Sequence, residues 1–279
     1  MWYRRPDAGQ GLRVGSLFWI AVALGVVEGV TEFVPVSSTG HLILAGTWLA
    51  FPEDKAAAFE IFIQLGAVLA VVWFYRERVL LVLRGVTRDA AAQAFVGKLV
   101  VAFVPAAVVG LLLHDWIVEV LFGPLPVAAG LAVGGAFLLA IDRPDRPAAA
   151  TTLLDDVGWG QAFAIGCAQV ASLWPGVSRS GATIIGALLA GLSRSVALEF
   201  SFFLAIPTLG AASLYALWKA RHALVAADAP IFAVGLGVSF VVSLAVIAVL
   251  LRFVRDHDLR IFGWYRLALA ALIVLLMAR

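Results

Sequence analysis

The chain is apolar almost from end to end, and the polar residues inside that apolar background are gathered in two short breaks. Apolar runs fall at about 16–34, 41–51, 59–75, 95–113, 117–141, 160–174, 182–192, 196–218, 230–251 and 261–278. Only 14% of residues are charged, where a soluble globular chain carries about 25%. A chain of this kind folds in a bilayer. At roughly 20 residues per crossing its length allows about six to eight spans. Six runs are expected to cross: 59–75, 95–113, 117–141, 196–218, 230–251 and 261–278. The other four form two pairs, split between Pro35 and Gly40 and between Pro175 and Gly181. The members at 41–51 and 182–192 are too short to span, so each pair reads as a re-entrant hairpin, although 16–34 alone is long enough to cross. Irregular backbone survives at that depth only inside protein or against a wet cavity. The expected fold is an all-α polytopic membrane protein: six transmembrane helices plus two re-entrant hairpins in one membrane domain over 1–279.

The two hairpins resemble each other. At an offset of 141, Gly25 matches Gly166, Glu28 matches Gln169, Val36 matches Val177, Ser37 matches Ser178, and Gly40 matches Gly181. This is an internal repeat, about 16–141 and 160–278, each unit holding one hairpin and three crossings. Three is odd, so the second unit is expected to be inverted, with the hairpin tips meeting from opposite faces. Loops bearing Arg76, Arg78, Arg84 and Arg88, then Arg143 and Arg146, then Arg252, Arg255 and Arg260 are assigned to the cytoplasm, which puts both termini outside. Arg4, Arg5 and Arg13 argue the other way. Trp48, Trp73, Tyr75, Trp116, Trp218, Trp264 and Tyr265 lie near run ends and read as interfacial anchors. Cys167 reads as a small core residue. A net charge of +2 implies no nucleic-acid surface.

Ionisable groups in hydrocarbon are costly and are kept for a use. Glu28 and Glu32, spaced i, i+4, share a helix face and repel unless a cation or arginine lies between them. They are candidates for a divalent-cation site, since Mg²⁺ suits one or two carboxylates plus phosphate oxygens. Ser37, Ser38 and Thr39 precede Gly40 and His41; such a run is first a helix cap, with Thr39 a candidate for that role. A hydroxyl near an imidazole is also a nucleophile–base pair, and His41 is a candidate acid or base. In the second break Ser178, Arg179 and Ser180 stand between Gly176 and Gly181, ahead of Thr183. Exposed N–H groups there attract anions, and Arg179 can fork two phosphate oxygens. Glu60, Gln64 and Glu199 are expected to support hairpin backbone. Asp142, Arg143, Asp145, Arg146, Asp155 and Asp156 read as a solvated loop, and Arg194 as a cytoplasmic-side charge. Broken helices meeting at depth also suit a secondary transporter or lipid flippase, in which Glu28, Glu32 and His41 would relay ions.

Glu28-Gly-Val-Thr-Glu32-Phe-Val-Pro-Val-Ser-Ser-Thr-Gly-His41 and Pro175-Gly-Val-Ser-Arg179-Ser-Gly-Ala-Thr183 resemble the two signature motifs of the undecaprenyl-diphosphate phosphatases, the bacitracin-resistance membrane proteins. The resemblance implies a bacterial inner-membrane enzyme. It would remove the terminal phosphate of a C55 prenyl diphosphate, recycle the carrier for cell-wall synthesis and confer bacitracin resistance. It implies a catalytic set of Glu28, Glu32, Ser38, His41 and Arg179, with Ser37, Thr39, Gly176, Ser178, Ser180 and Thr183 near the substrate. It also implies a divalent cation, Mg²⁺ or Ca²⁺, on Glu28 and Glu32, and a site open to the periplasm. Expected partners are the lipid substrate and membrane lipids, and no nucleic acid. The sequence leaves a homodimer open.

Overall fold

The computed structural model describes residues 14–220 and 228–277. Arg4, Arg5 and Arg13 lie outside them. The described residues are mostly helical: α1 Val14–Thr31, α2 Ser38–Leu49, α3 Glu53–Phe74, α4 Arg76–Gly85, α5 Ala90–Leu112, α6 His114–Trp116, α7 Pro124–Ile141, α8 Trp159–Val170, α9 Arg179–Leu189, α10 Arg194–Ala220, α11 Ala229–Asp256 and α12 Arg260–Met277. Among them α5, α7, α10, α11 and α12 are each long and apolar enough to cross a bilayer. A sixth span is α3, if counted with α4, from which it is bent by 79°. The fold is that of an all-α polytopic membrane protein.

Helix α11 is the ruler of the bundle. From Phe232 to Val254 it rises about 33 Å at 1.5 Å per residue. At its start, Phe232 packs in one cluster with Ile20 and Leu24 of α1 and with Phe51 just beyond α2, at the outer end of the α1–α2 hairpin. At its end, Val254 packs in another with Leu188 and Leu192, where the α8–α9 hairpin closes. The two hairpins therefore approach from opposite ends of α11, and their tips meet near its middle. Close backbone contact makes this packing possible. A Cβ on Gly25 would lie 2.7 Å from the Gly235 carbonyl, and one on Gly166 would lie 2.6 Å from the Ala102 carbonyl. Small residues of this kind let membrane helices approach where no hydrophobic force drives them together.

Several sequence expectations are corrected. The run at 117–141 is not one helix. A π turn over Ile117–Leu121 ends at an extended Gly123, and Pro124 starts α7 afresh, because proline fits the first turn of a helix and not its interior. The arginine-rich stretch after α3 is not a loop: α4 exposes Leu80, Leu81 and Leu83 beside its arginines, the form of a helix lying in the membrane interface. Cys167 is exposed on α8 rather than in the core. Tyr75 is no anchor, since its ring packs on Phe74 and Phe203 and its hydroxyl is buried. The loop after α7 is not simply solvated. Asp142 is fully buried, accepts from Arg194 Nε at 2.8 and 3.0 Å, and accepts the Leu259 N–H at 2.7 Å.

Candidate active site

The site is built from the two hairpin tips. Helix α1 stops at Thr31, but the Glu32 N–H still bonds the Glu28 carbonyl at 2.9 Å. One more turn therefore keeps both carboxylates on one face. Pro35 then forbids continuation. Ser37 takes the left-handed conformation at φ 74°, and its Oγ accepts the Gly40 N–H at 3.4 Å, capping α2. The cap is thus Ser37, not Thr39, which lies in the first turn. In the second hairpin Gly176 has φ 97° and Ser178 φ 73°, and Ser178 Oγ accepts the Gly181 N–H at 3.1 Å. Ser37 and Ser178, matched in the sequence repeat, share both the unusual backbone and the cap. A non-glycine residue there costs about 1–2 kcal/mol, a strain that clusters at functional sites.

The tips touch through side chains. Arg179, the first residue of α9, donates from Nη2 to Glu32 Oε1 at 2.7 Å. Its Nη1 donates to the Ser201 carbonyl at 2.9 Å, and its guanidinium lies 5.9 Å from the Phe33 ring centroid. Arg179 Nε is buried with no partner. Ser38 Oγ donates to Glu32 Oε2 at 2.6 Å. Both Glu28 carboxylate oxygens are buried without a hydrogen-bond partner, in the electrostatic neighbourhood of Glu32, Glu60 and Arg179. His41 points away from this cluster. Its Nδ1 lies 2.7 Å from the Ser37 carbonyl and its Nε2 lies 2.6 Å from the Tyr265 hydroxyl, with the two rings nearly parallel. A carbonyl only accepts, so Nδ1 carries the proton and Nε2 receives the Tyr265 O–H.

The remaining predicted site residues hold the structure of the site. Ser180 is fully buried and donates to the Val34 carbonyl at 3.2 Å, tying one tip to the other. Thr183 is fully buried, 2.7 Å from Ser201 Oγ, behind Arg179. Gly176 presents its carbonyl to Arg266. Glu60 and Glu199 make no hydrogen bond to hairpin backbone among the described residues; Glu199 instead lies in the field of Arg255 and Arg78. Gln169, the counterpart of Glu28, bonds the Ala102 carbonyl and Thr208.

Three residues escaped the sequence reading. Ser201 shares Arg179, and Tyr265 holds His41 where an interfacial anchor was expected. Arg266 is fully buried and gives its N–H groups to five carbonyls, of Pro35, Gly130, Leu131, Gly176 and Val177, at 2.8–3.2 Å. It pins both tips to α7. Its signal was present, a guanidinium inside an apolar run.

Fold and site together define a polytopic membrane protein whose centre is an acid–hydroxyl–guanidinium cluster made by two broken helices. The sequence model of the family described as bacitracin resistance protein BacA matches residues 21–272. The chain belongs to that family. It is 53% identical over 264 residues to the undecaprenyl-diphosphatase of Sorangium cellulosum, covering 92% of this chain and 86% of that one. It is 51% identical over 256 residues to the undecaprenyl-diphosphatase of Nitrosomonas europaea, covering 91% and 93%. To that of Ectopseudomonas mendocina it is 48% identical over 254 residues, covering 91% and 92%.

Proposed function

We propose that this protein is a membrane phosphatase that hydrolyses undecaprenyl diphosphate to undecaprenyl phosphate and inorganic phosphate. It would thereby return the lipid carrier to cell-wall synthesis and confer bacitracin resistance. The reading is carried by the contact of Ser38, Glu32 and Arg179 at the junction of the two tips, and the names of the relatives support it.

The chemistry follows from the donors and acceptors. Arg179, braced by Ser201, offers its guanidinium to oxygens of the terminal phosphate. Ser38 Oγ attacks that phosphorus, and its proton passes to Glu32 Oε2, to which it is already bonded. The bond to the bridging oxygen breaks and prenyl phosphate leaves. Water then attacks the phosphoserine with both its protons, Glu32 returns its proton to Ser38 Oγ as the bond from that oxygen to phosphorus breaks, and inorganic phosphate departs as its monoanion; His41, whose Nε2 already accepts the Tyr265 O–H, orients the start of α2 beside them. Most of the acceleration in such a transfer comes from positioning and charge stabilisation.

A divalent cation, Mg²⁺ or Ca²⁺, belongs to the proposal. The unpartnered carboxylate of Glu28 with Glu32 beside it is a fitting donor set, which substrate oxygens would complete. When bound, such an ion supplies charge neutralisation at the phosphate. We further read the chain as two inverted units, 16–141 and 160–278, in the bacterial inner membrane. Its arginine-rich loops then face the cytoplasm and the site opens to the periplasm.

The test is phosphate release from C55 and C15 prenyl diphosphates by the protein in detergent, with and without chelator. Release that stops on chelation and returns with Mg²⁺ is expected. No release from either substrate would overturn the reading, and activity confined to sealed vesicles would favour a transporter.

A further inference from the structure

A polar cavity lies at the end of α9 away from the candidate active site. From Arg179 to Leu188 the helix rises about 14 Å at 1.5 Å per residue, so the two sites are separate. The cavity holds about 340 Å³ and is lined by Arg143, Arg146, Arg194 and Arg255 with Ser193 and Ser195. These residues come from the α7–α8 loop, the start of α10 and the end of α11.

Two of the four arginines are fixed. Arg146 Nη2 donates to the Leu188 and Leu192 carbonyls at 2.7 and 2.8 Å, and Arg194 Nε lies on buried Asp142. The other two, Arg143 and Arg255, are exposed and make no salt bridge within 4.0 Å among the described residues. Of the carboxylates nearby, Asp142 is buried behind Arg194, Glu199 acts on Arg255 from α10, and Asp145 and Asp256 are exposed next to lining residues; none lines the cavity itself. The lining therefore holds four guanidinium groups and no carboxylate. Burial, and the like charge of Arg194, lower the pKa of Arg146 against the opposing pull of Asp142. Like charges crowded around a cavity of this size call for an anion larger than a single simple ion; ligand pockets begin at about 300 Å³.

The surroundings select the anion. The cavity opens where α7, α9 and α11 end and α10 begins; Arg146 in its lining bonds the Leu188 carbonyl, and the next residue, Leu189, is exposed. We propose that this cavity binds the phosphate head group of an anionic membrane lipid, with Arg143 and Arg255 as the movable arms and Arg146 and Arg194 as the fixed base. Acyl chains would run past Leu189 into the bilayer. Basic pockets between helix ends on an arginine-rich face are suited to such head groups. The inference is independent of the phosphatase reading.

The test uses the full chain in phosphatidylcholine nanodiscs with and without phosphatidylglycerol, comparing wild type, the Arg143→Gln/Arg255→Gln double variant, and an Arg84→Gln/Arg88→Gln control outside the cavity. Wild type and control are expected to unfold at a higher temperature with phosphatidylglycerol and to retain it in native mass spectrometry. The cavity variant is expected to lose the rise and to retain the lipid about twenty-five-fold less, since each of the two arginines near a head group counts for roughly fivefold. An equal rise in the cavity variant, or no rise in wild type, overturns the proposal. So does a rise reproduced in pure phosphatidylcholine by inorganic phosphate or pyrophosphate, which would make the ligand a soluble anion.

Discussion

At the scale of single residues, a few hydrogen bonds assign roles that sequence left ambiguous. Arg179 contacts Glu32 through one nitrogen and the Ser201 carbonyl through another, so a point charge does not replace it. Arg179→Lys as well as Arg179→Ala is expected to lower phosphate release by about 10³ with the fold retained, as checked by initial rates and by elution as a monodisperse peak. Ser38→Ala is expected to remove the reaction and any phosphate label trapped on the protein during turnover. A normal rate in that variant would make water the direct nucleophile. Tyr265→Phe is expected to reduce kcat about tenfold with little change in KM, because His41 loses only the partner that orients its Nε2. The acids, the hydroxyls and Arg179 were legible in sequence, since charged and hydroxyl groups stand out in an apolar background. The partner of His41 was not, because Tyr265 lies 224 positions away in a place that any interfacial aromatic would occupy.

At the scale of elements, the tips depend on what grips them from behind. Arg266 bonds five carbonyls from three segments, and removing it leaves the Pro35, Gly176 and Val177 carbonyls of the tips buried without a donor, each at a cost of about 1–3 kcal/mol. Arg266→Met is therefore expected to lower the thermal midpoint sharply and abolish activity together, and Arg266→Lys to rescue neither. Gly130 is the matching small residue: a Cβ there would lie 2.6 Å from the Pro175 carbonyl and 3.0 Å from the Val177 amide. Gly130→Ala should cost about 1–3 kcal/mol and slow turnover by displacing the second tip, read by thermal unfolding and kcat. The re-entrant hairpins and most crossings followed from run length and from proline and glycine. The bend after α3 did not, because the helical arginines of α4 and the arginines of a loop give the same sequence signal. Nor did the buried Asp142, since only contacts with Arg194 and Leu259 distinguish it from a solvated loop acid.

At the scale of the whole molecule, the arrangement of charge and the arrangement of hairpins agree. The arginines of α4, of the α7–α8 loop and of the end of α11 gather at the end of the bundle where the second hairpin closes, and the first hairpin closes at the other. Single cysteines placed at Leu83 and at Trp116 in a Cys167→Ser background are expected to react with a membrane-impermeant maleimide from opposite sides of sealed vesicles, with Leu83 inside. Labelling of both from one side would discard the inverted arrangement. The sequence repeat hinted at this geometry through Ser37 and Ser178. It showed the acid on one tip alone, in Glu28 against Gln169, but not their surroundings, one unpartnered and one tied to α5 and α10.

In the inverted arrangement proposed above, the acid and the guanidinium arrive on arms rooted in different leaflets, so their separation is set by how far apart those leaflets sit. Lipids with much shorter or longer acyl chains would press the arms past one another or draw them apart, and the ion pair between them would register the mismatch. Hydrolysis by the reconstituted protein should then peak at one hydrocarbon thickness and fall on either side, so that the bilayer acts as a caliper on the catalytic centre.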